Sequence, residues 1–528
     1  MPASQVPPTR RTWQAAGISV AAASAAIFMG NVLYGAVGLR GSDQYWYVAD
    51  LLMSKFTDSP VTNAIYPTVA ATASLTDLPP RIHNLPITHL AGLAHQSGVS
   101  DYLSWVSVNA FLAIIIALCL YFVARIQGYS YSFIAPAVFL TFPLTLWLSI
   151  NALAEMSLAL GASLLILGSV VATSIARAES RSISTGLVIM SAGSILMFYT
   201  RDNYALLLPA QALLTIWMCR KDRNRWLLAA PSLIITVVLV ALKPLIFPPY
   251  AHAGVLSQLM AGTPSEKGQM TSYYDLAQAP FSLSQFVSKM ARGLAEAIVP
   301  SSPSEVITES AVLLVVVAGI FLIRNNQSSR MVKYWALVVL GIYLASSAAF
   351  QAQNRYIFAL VPFVAVFAVG LIDQLKQHKR ATGRVSVVAW VAVGSILIGC
   401  AAGSFLMARE YKYQAQIEIE QTRKLGGELA REPSGSVLAV ADTSQVLPLT
   451  YAAVPRPVIA LNPLINSPEE AARLIEDWDV RILVGASKAH LEYLSLAVDL
   501  AFDGRATLIT RPTYEAPGGP IQVWVIEP

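Results

Sequence analysis

Several short stretches of the chain hold side chains that could do acid–base or anion-binding chemistry. "RGSDQYWYVADLL" (40–52) contains Asp43 and Asp50. On a helix, Asp43, Tyr47 and Asp50 share one face through i, i+4 and i+7 spacing. A carboxylate within hydrogen-bond reach of a hydroxyl can take its proton, and Asp43 is the candidate for that general base, with Asp50 as the alternative. Trp46 and Leu51–Leu52 make the same helix an interfacial anchor, a reading compatible with catalysis. "YTRDNY" (199–204) sets Arg201 beside Asp202 in a tight turn. Either the turn satisfies itself, or Arg201 reaches an anionic oxygen that Asp202 helps to orient. "FQAQNRYIFALVPF" (350–363) places Arg355 and Tyr356 at the start of an apolar run. An arginine there suits a phosphate, being always charged and bidentate, or it snorkels to lipid headgroups. Glu155 in "NALAEMSLAL" opens another run and needs a partner, an arginine or a hydroxyl, because an unpaired carboxylate in lipid is costly.

Further candidate contacts are less specific. Arg81 and His83 lie in a proline-rich stretch, 75–98. His83 and His89 do not have a metal-ligand spacing, so loop or interfacial hydrogen bonding competes with substrate contact. Lys267, Lys289, Arg292 and the Tyr273–Tyr274–Asp275 cluster fall in a segment that reads as a lid over a substrate. Tyr47 and Lys267 complete the set of possible substrate contacts. No metal ligands are assigned.

These residues must be positioned by membrane-spanning helices. Of the 528 residues, 55% are hydrophobic and 13% charged, and the mean hydropathy is +0.55. Most of the chain therefore meets lipid. Cys119, Cys219 and Cys400 sit in or beside apolar runs without a redox or metal spacing and read as buried thiols. Apolar runs long enough to span a hydrocarbon core fall near 14–38, 103–124, 131–150, 153–176, 185–200, 203–219, 226–247, 307–323, 334–351, 355–374 and 385–408. The expectation is a multi-pass α-helical membrane protein with about 11 transmembrane helices.

With a cytoplasmic N-terminus, Arg125, Arg177, Arg181, "RKDRNR" (220–225) and "KQHKRATGR" (376–384) all fall on the cytoplasmic side. The short opposite turns hold only Arg201 and Arg355, as the positive-inside rule requires. The basic balance thus reflects topology and needs no nucleic-acid partner. The first run is too long for a signal peptide and lacks a small-residue cleavage pattern, so it reads as a retained anchor.

The expected organisation is a transmembrane catalytic domain, 1–408, with extracytoplasmic loops 39–102 and 248–306, followed by a soluble extracytoplasmic segment, 409–528. In the latter, strand-like stretches at 436–442, 456–461, 480–486, 506–511 and 521–527 alternate with helical spacing at 467–478 and 487–500. That alternation predicts a small α/β domain. It has no Gly-rich phosphate loop, which argues against a nucleotide site. Its position suggests a lid or acceptor platform. Asp43, Glu155, Arg201 with Asp202, and Arg355 all map to one surface of the bundle.

An aspartate just after the first span, a long amphipathic loop, Glu155 early in a span and "NRY…P" opening a late span resemble the GT-C class of integral-membrane glycosyltransferases. The soluble C-terminal domain is similar too. The resemblance covers the whole chain as architecture, through short motifs. It implies an inverting transfer of a sugar from a polyprenyl-phosphate donor to a glycan or lipid acceptor of the cell envelope. It places this at the non-cytoplasmic face of a bacterial inner membrane and requires no cofactor. It also implies Asp43 as base, Glu155 as supporting acid, and Arg201 and Arg355 at the donor phosphate. From the residues themselves, Asp50 and Asp202 are further candidate acids and Tyr356 a further candidate contact at the phosphate. Many relatives carry Asp-Asp or Asp-Glu in the first loop, whereas Asp43 is followed here by Gln44, which leaves a second carboxylate and any divalent metal unassigned.

Other classes compete. A lipid-linked oligosaccharide polymerase or ligase would use the same donor surface with a larger acceptor groove. A transporter or flippase needs a polar path through the bilayer, and the spans lack facing charges at their centres. The lack of an internal repeat also disfavours an inverted-repeat transporter. A membrane scaffold with a binding domain is the non-catalytic alternative.

Overall fold

A computed structural model describes residues 10–40, 44, 48, 64–65, 86–174, 180–219, 223–246, 283–284, 287–288, 291, 295, 310–324, 326–350, 354–378, 383–440, 443–461 and 467–527. The helical part comprises α1 (Arg10–Gly35), α2 (Pro86–Gln96), α3 (Asp101–Ile126), α4 (Ile134–Thr141), α5 (Pro143–Ile150), α6 (Met156–Ser174), α7 (Ser180–Thr200), α8 (Leu207–Cys219), α9 (Arg223–Ile246), α10 (Ala311–Leu322), α11 (Gln327–Phe350), α12 (Val361–His378) and α13 (Gly383–Leu429). Among the described residues, five helical stretches are long and apolar enough to cross a membrane: Gly17–Gly35, Asp101–Ile126, Met156–Thr173, Ile183–Thr200 and Ile357–Gln374. Three shorter apolar helices accompany them, at Asn203–Met218, Ala229–Lys243 and Ala311–Leu322.

The run expected as one span over 131–150 is two helices, α4 and α5. Pro143 cannot donate a backbone N–H and its ring clashes with the preceding turn. Phe142 accordingly turns extended, with φ −66° and ψ 128°. Pro362, by contrast, sits in the first turn of α12, where its missing N–H leaves no bond unmade. The preceding residues, Asn354–Leu360, form a 3₁₀ turn.

Helices α6 and α7 pack back to back through glycines. A Cβ added to Gly168 would lie 2.5 Å from the Gly186 carbonyl oxygen, and one added to Gly193 would lie 2.6 Å from the Gly161 carbonyl oxygen. Only glycine allows backbones this close, the usual device where lipid removes the hydrophobic drive between helices. Buried hydroxyls hold α9 to the pair: Ser191 Oγ lies 2.6 Å from Ser232 Oγ, and Thr236 donates to Ser191 at 3.2 Å.

Helix α13 does not end where its hydropathy falls, near residue 408. Residues 409–429 hold four Glu, three Gln, two Lys and two Arg, all good helix formers, and contain no proline, so the helix continues for 47 residues in all. At 1.5 Å per residue that is about 70 Å, carrying the chain from the bundle into a sheet domain.

The domain holds β2 (Ser436–Val440), α14 (Thr443–Ala453), β3 (Val458–Ala460), α15 (Pro468–Asp477), β4 (Val480–Gly485), α16 (Lys488–Ala501), β5 (Thr507–Ala516) and β6 (Gly519–Glu527). Ser467 caps α15, accepting a hydrogen bond from the Glu470 N–H. Alternating residues of β2 serve both faces. Leu438 and Val440 pack with α15 and α16, while Val437 and Ala439 pack with α14 and the end of α13. A sixth strand, β1 (Ala64–Ile65), comes from the first long connection and pairs parallel with β3. The order is β1-β3-β2-β4-β6-β5, parallel through β4 and antiparallel at β6 and β5.

Candidate active site

The site forms where the chain passes from α5 to α6 and from α7 to α8. Residues 151–155 are not α-helical, yet all five are buried. Non-helical backbone survives in such a setting only where protein groups replace its hydrogen bonds. Asn109 of α3 supplies them, its amide shared among the carbonyls of Leu148 at 3.2 Å, Asn151 at 2.8 Å and Leu153 at 3.1 Å. The Tyr102 hydroxyl donates to the Ile150 carbonyl at 2.6 Å.

The last residue of this turn is Glu155, fully buried. Arg201, the first residue after α7, meets it: Nη2 lies 2.6 Å from Glu155 Oε1. The α6/α7 hairpin explains the meeting. The glycine contacts pair 161 with 193 and 168 with 186, and extending that antiparallel register to the helix ends brings 155 opposite 199, two residues before Arg201, within reach of its long side chain. Arg201 then starts the 3₁₀ turn Asp202–Leu206. Asn203 in that turn donates to Ser346 of α11 at 2.6 Å. Lys243, on α9, donates to the Phe198 carbonyl at 2.8 Å and lies 3.8 Å from the centre of the Phe198 ring, holding the end of α7.

Beyond α1, Gln44 joins three parts of the chain. It is buried, 3% exposed. Its Nε2 donates to the Arg40 carbonyl and to Asn151 Oδ1. Its Oε1 accepts from the Ala152 N–H at 3.2 Å and from the Tyr411 hydroxyl at 2.9 Å. Tyr411 belongs to α13, is fully buried and also lies 3.0 Å from the Gly38 carbonyl. The Arg40 guanidinium sits 5.8 Å from the centre of the Tyr411 ring, a cation–π arrangement.

Of the residues singled out in the sequence, the structure brings together Glu155 and Arg201. Asp202 and the backbone of Arg355 and Tyr356 lie in the two 3₁₀ turns, while the side chains of all three fall outside the described residues. Asp43, Tyr47, Asp50, Arg81, His83 and Lys267 lie outside them altogether. Arg40, Gln44, Asn109, Asn151 and Tyr411 were not singled out as site residues, Gln44 having been noted only as a departure from a pattern. One available signal was Asn109, a lone amide inside an apolar run, which must find partners there. Among the described residues no group of three or more His, Cys, Asp or Glu side chains is arranged to hold a metal.

No protein-family model matches the chain, and no curated protein matches it in sequence. Solved structures do match it in fold. ArnT from Cupriavidus metallidurans, bound to undecaprenyl phosphate, superposes with a TM-score of 0.57 at 12% identity, over 97% of this chain and 98% of that one. The same protein in its apo state gives 0.56 at 12% identity. The archaeal oligosaccharyltransferase AglB from Archaeoglobus fulgidus, in complex with an inhibitory peptide and a dolichol-phosphate, gives 0.51 at 13% identity, over 96% of this chain and 74% of that one. The chain has the GT-C fold.

Proposed function

We propose that the protein is an inverting glycosyltransferase that moves a sugar from a polyprenyl-phosphate donor to a cell-envelope glycan or lipid. In this reading it spans the bacterial inner membrane eleven times, with its N-terminus cytoplasmic and its site and C-terminal domain on the far side. The observation that carries the reading is the Glu155–Arg201 pair on a GT-C fold. Glu155 has no exposed surface and Arg201 is 23% exposed, so the accessible end of the pair is cationic and suited to a lipid phosphate. Arg40, without a carboxylate in ion-pair distance among the described residues, adds positive charge beside Gln44.

The reaction asks little covalent chemistry of the protein. An acceptor hydroxyl attacks C1 of the sugar while its proton passes to the Asp43 carboxylate. The bond from C1 to the phosphate oxygen breaks with its electron pair, and polyprenyl phosphate departs. Arg201 and Arg355 stabilise the charge that develops on that oxygen, and Tyr356 hydrogen-bonds the phosphate. Tyr47, Arg81, His83 and Lys267 are assigned to substrate contacts, and Asp50 and Asp202 to orienting roles.

Asp43→Asn tests the base. In proteoliposomes supplied with undecaprenyl-phosphate pentoses and hexoses, release of undecaprenyl phosphate should fall by about 100-fold or more. Undiminished release would rule out Asp43 as the base.

A further inference from the structure

We infer that Gln44 is a positioning residue, holding the chain next to Asp43 against both the Glu155 turn and the helix that enters the C-terminal domain. The inference rests on the reading of Asp43 as the base. Gln44 is bonded to Asp43, so the two Cα atoms are about 3.8 Å apart whatever path the neighbouring chain takes. Whatever anchors Gln44 therefore limits where the Asp43 carboxylate can stand.

The anchoring is complete. A glutamine side chain offers one amide nitrogen and one carbonyl oxygen. Here the nitrogen serves Arg40 and Asn151, and the oxygen serves Ala152 and Tyr411. The partners come from the end of α1, from the turn that ends in Glu155, and from α13. Val48, four residues on, is also helical and fully buried.

This arrangement explains why an amide follows Asp43. A glutamate at 44 would turn acceptor oxygens toward the Arg40 carbonyl and Asn151 Oδ1, where donors are required. Gln44 is thus spent on protein contacts and is not a second carboxylate facing the substrate. Its role is to hold the base in register with the Glu155–Arg201 pair.

The test compares Gln44→Ala, Gln44→Glu and Tyr411→Phe with the wild type in proteoliposomes, using an undecaprenyl-phosphate sugar that the wild type turns over. Amide hydrogen exchange over 39–48 is followed in parallel and needs no substrate. Both changes at Gln44 should lower kcat on the order of 10- to 100-fold, because misplacement by about 1 Å has effects of that size. KM for the donor should stay within about threefold, since the donor contacts are intact. Tyr411→Phe should move kcat in the same direction by less, and every variant should speed exchange over 39–48. The acid limb of the pH–rate profile should shift, because the field of Arg40 and Arg201 at the base depends on its position.

A residue with only a structural role would reduce the amount of folded protein while kcat per folded molecule and the pH profile stayed as in the wild type. That result for Gln44→Ala and Tyr411→Phe together overturns the inference. If Gln44→Ala does not fold, Tyr411→Phe, which removes one hydroxyl, decides alone. Asp43→Asn separates the two readings. An active Asp43→Asn sinks the base itself, whereas an inactive one beside unaffected Gln44 and Tyr411 variants sinks only the positioning role.

Discussion

Glu155 and Arg201 share an ion pair unequally, the carboxylate sealed inside and the guanidinium reaching the surface. Removing the cation takes away the partner 2.6 Å from a buried carboxylate. Breaking a buried pair in this way typically costs about 3–5 kcal/mol, whereas replacing both partners with neutral residues of similar size is often harmless. Arg201→Ala should therefore unfold at a clearly lower temperature in detergent, followed by tryptophan fluorescence. A Glu155→Gln, Arg201→Met double variant should recover most of the loss; equal losses would mean the pair is not coupled. These two residues were legible in the sequence because a charge at the edge of an apolar run is costly enough to demand a reason. Gln44, Asn151 and Tyr411 carry no charge, and an uncharged polar residue near a helix end is unremarkable until its partners are seen. Those partners come from positions 38 to 411, a convergence that no local spacing reveals.

The α6/α7 hairpin turns glycine spacing into site geometry. Gly193 lies two turns from Arg201, and its missing Cβ lets the Gly161 carbonyl approach. Gly193→Val should force the helices apart, destabilise the protein by about 1–3 kcal/mol and weaken the Glu155–Arg201 contact. Gly30 in α1 is the control, since a Cβ there meets nothing within 4 Å. Gly30→Ala should be neutral or stabilising, by about 0.5–1 kcal/mol from helix propensity. Thermal midpoints of the two variants check the opposite signs, and a Gly193→Val protein as stable as wild type would count against the close packing. Apolar runs located most helices, because length and hydropathy are local properties. The break at Pro143 was visible in the sequence but was outweighed by the apolar run around it. The continuation of α13 to Leu429 was missed for the opposite reason: polarity rose while helix propensity persisted.

Across the whole molecule, the sheet domain touches the helical part at defined points. The Tyr451 hydroxyl of α14 donates to Asp101 Oδ2 at the start of α3, at 2.8 Å. Burial, and then the Asp101 carboxylate, push the Tyr451 phenol well above the ordinary tyrosine value. A value raised by folding contributes stability that is whole below the unfolded value of about 10 and is lost as pH rises beyond it. The wild-type thermal midpoint should then fall more steeply above pH ~10 than that of Tyr451→Phe. Parallel slopes would remove the contact from the stability of the whole. The C-terminal strands and two of its helices followed from alternating pattern, but β1 did not, being two residues paired with a strand far along the chain. That pairing fixes an order of events in time. A ribosome adding about 5–20 residues per second needs roughly 20–80 seconds to travel the roughly 400 residues from β1 to β3. Throughout that interval β1 has no strand to pair with, so this edge of the sheet can close only after β3 has been made.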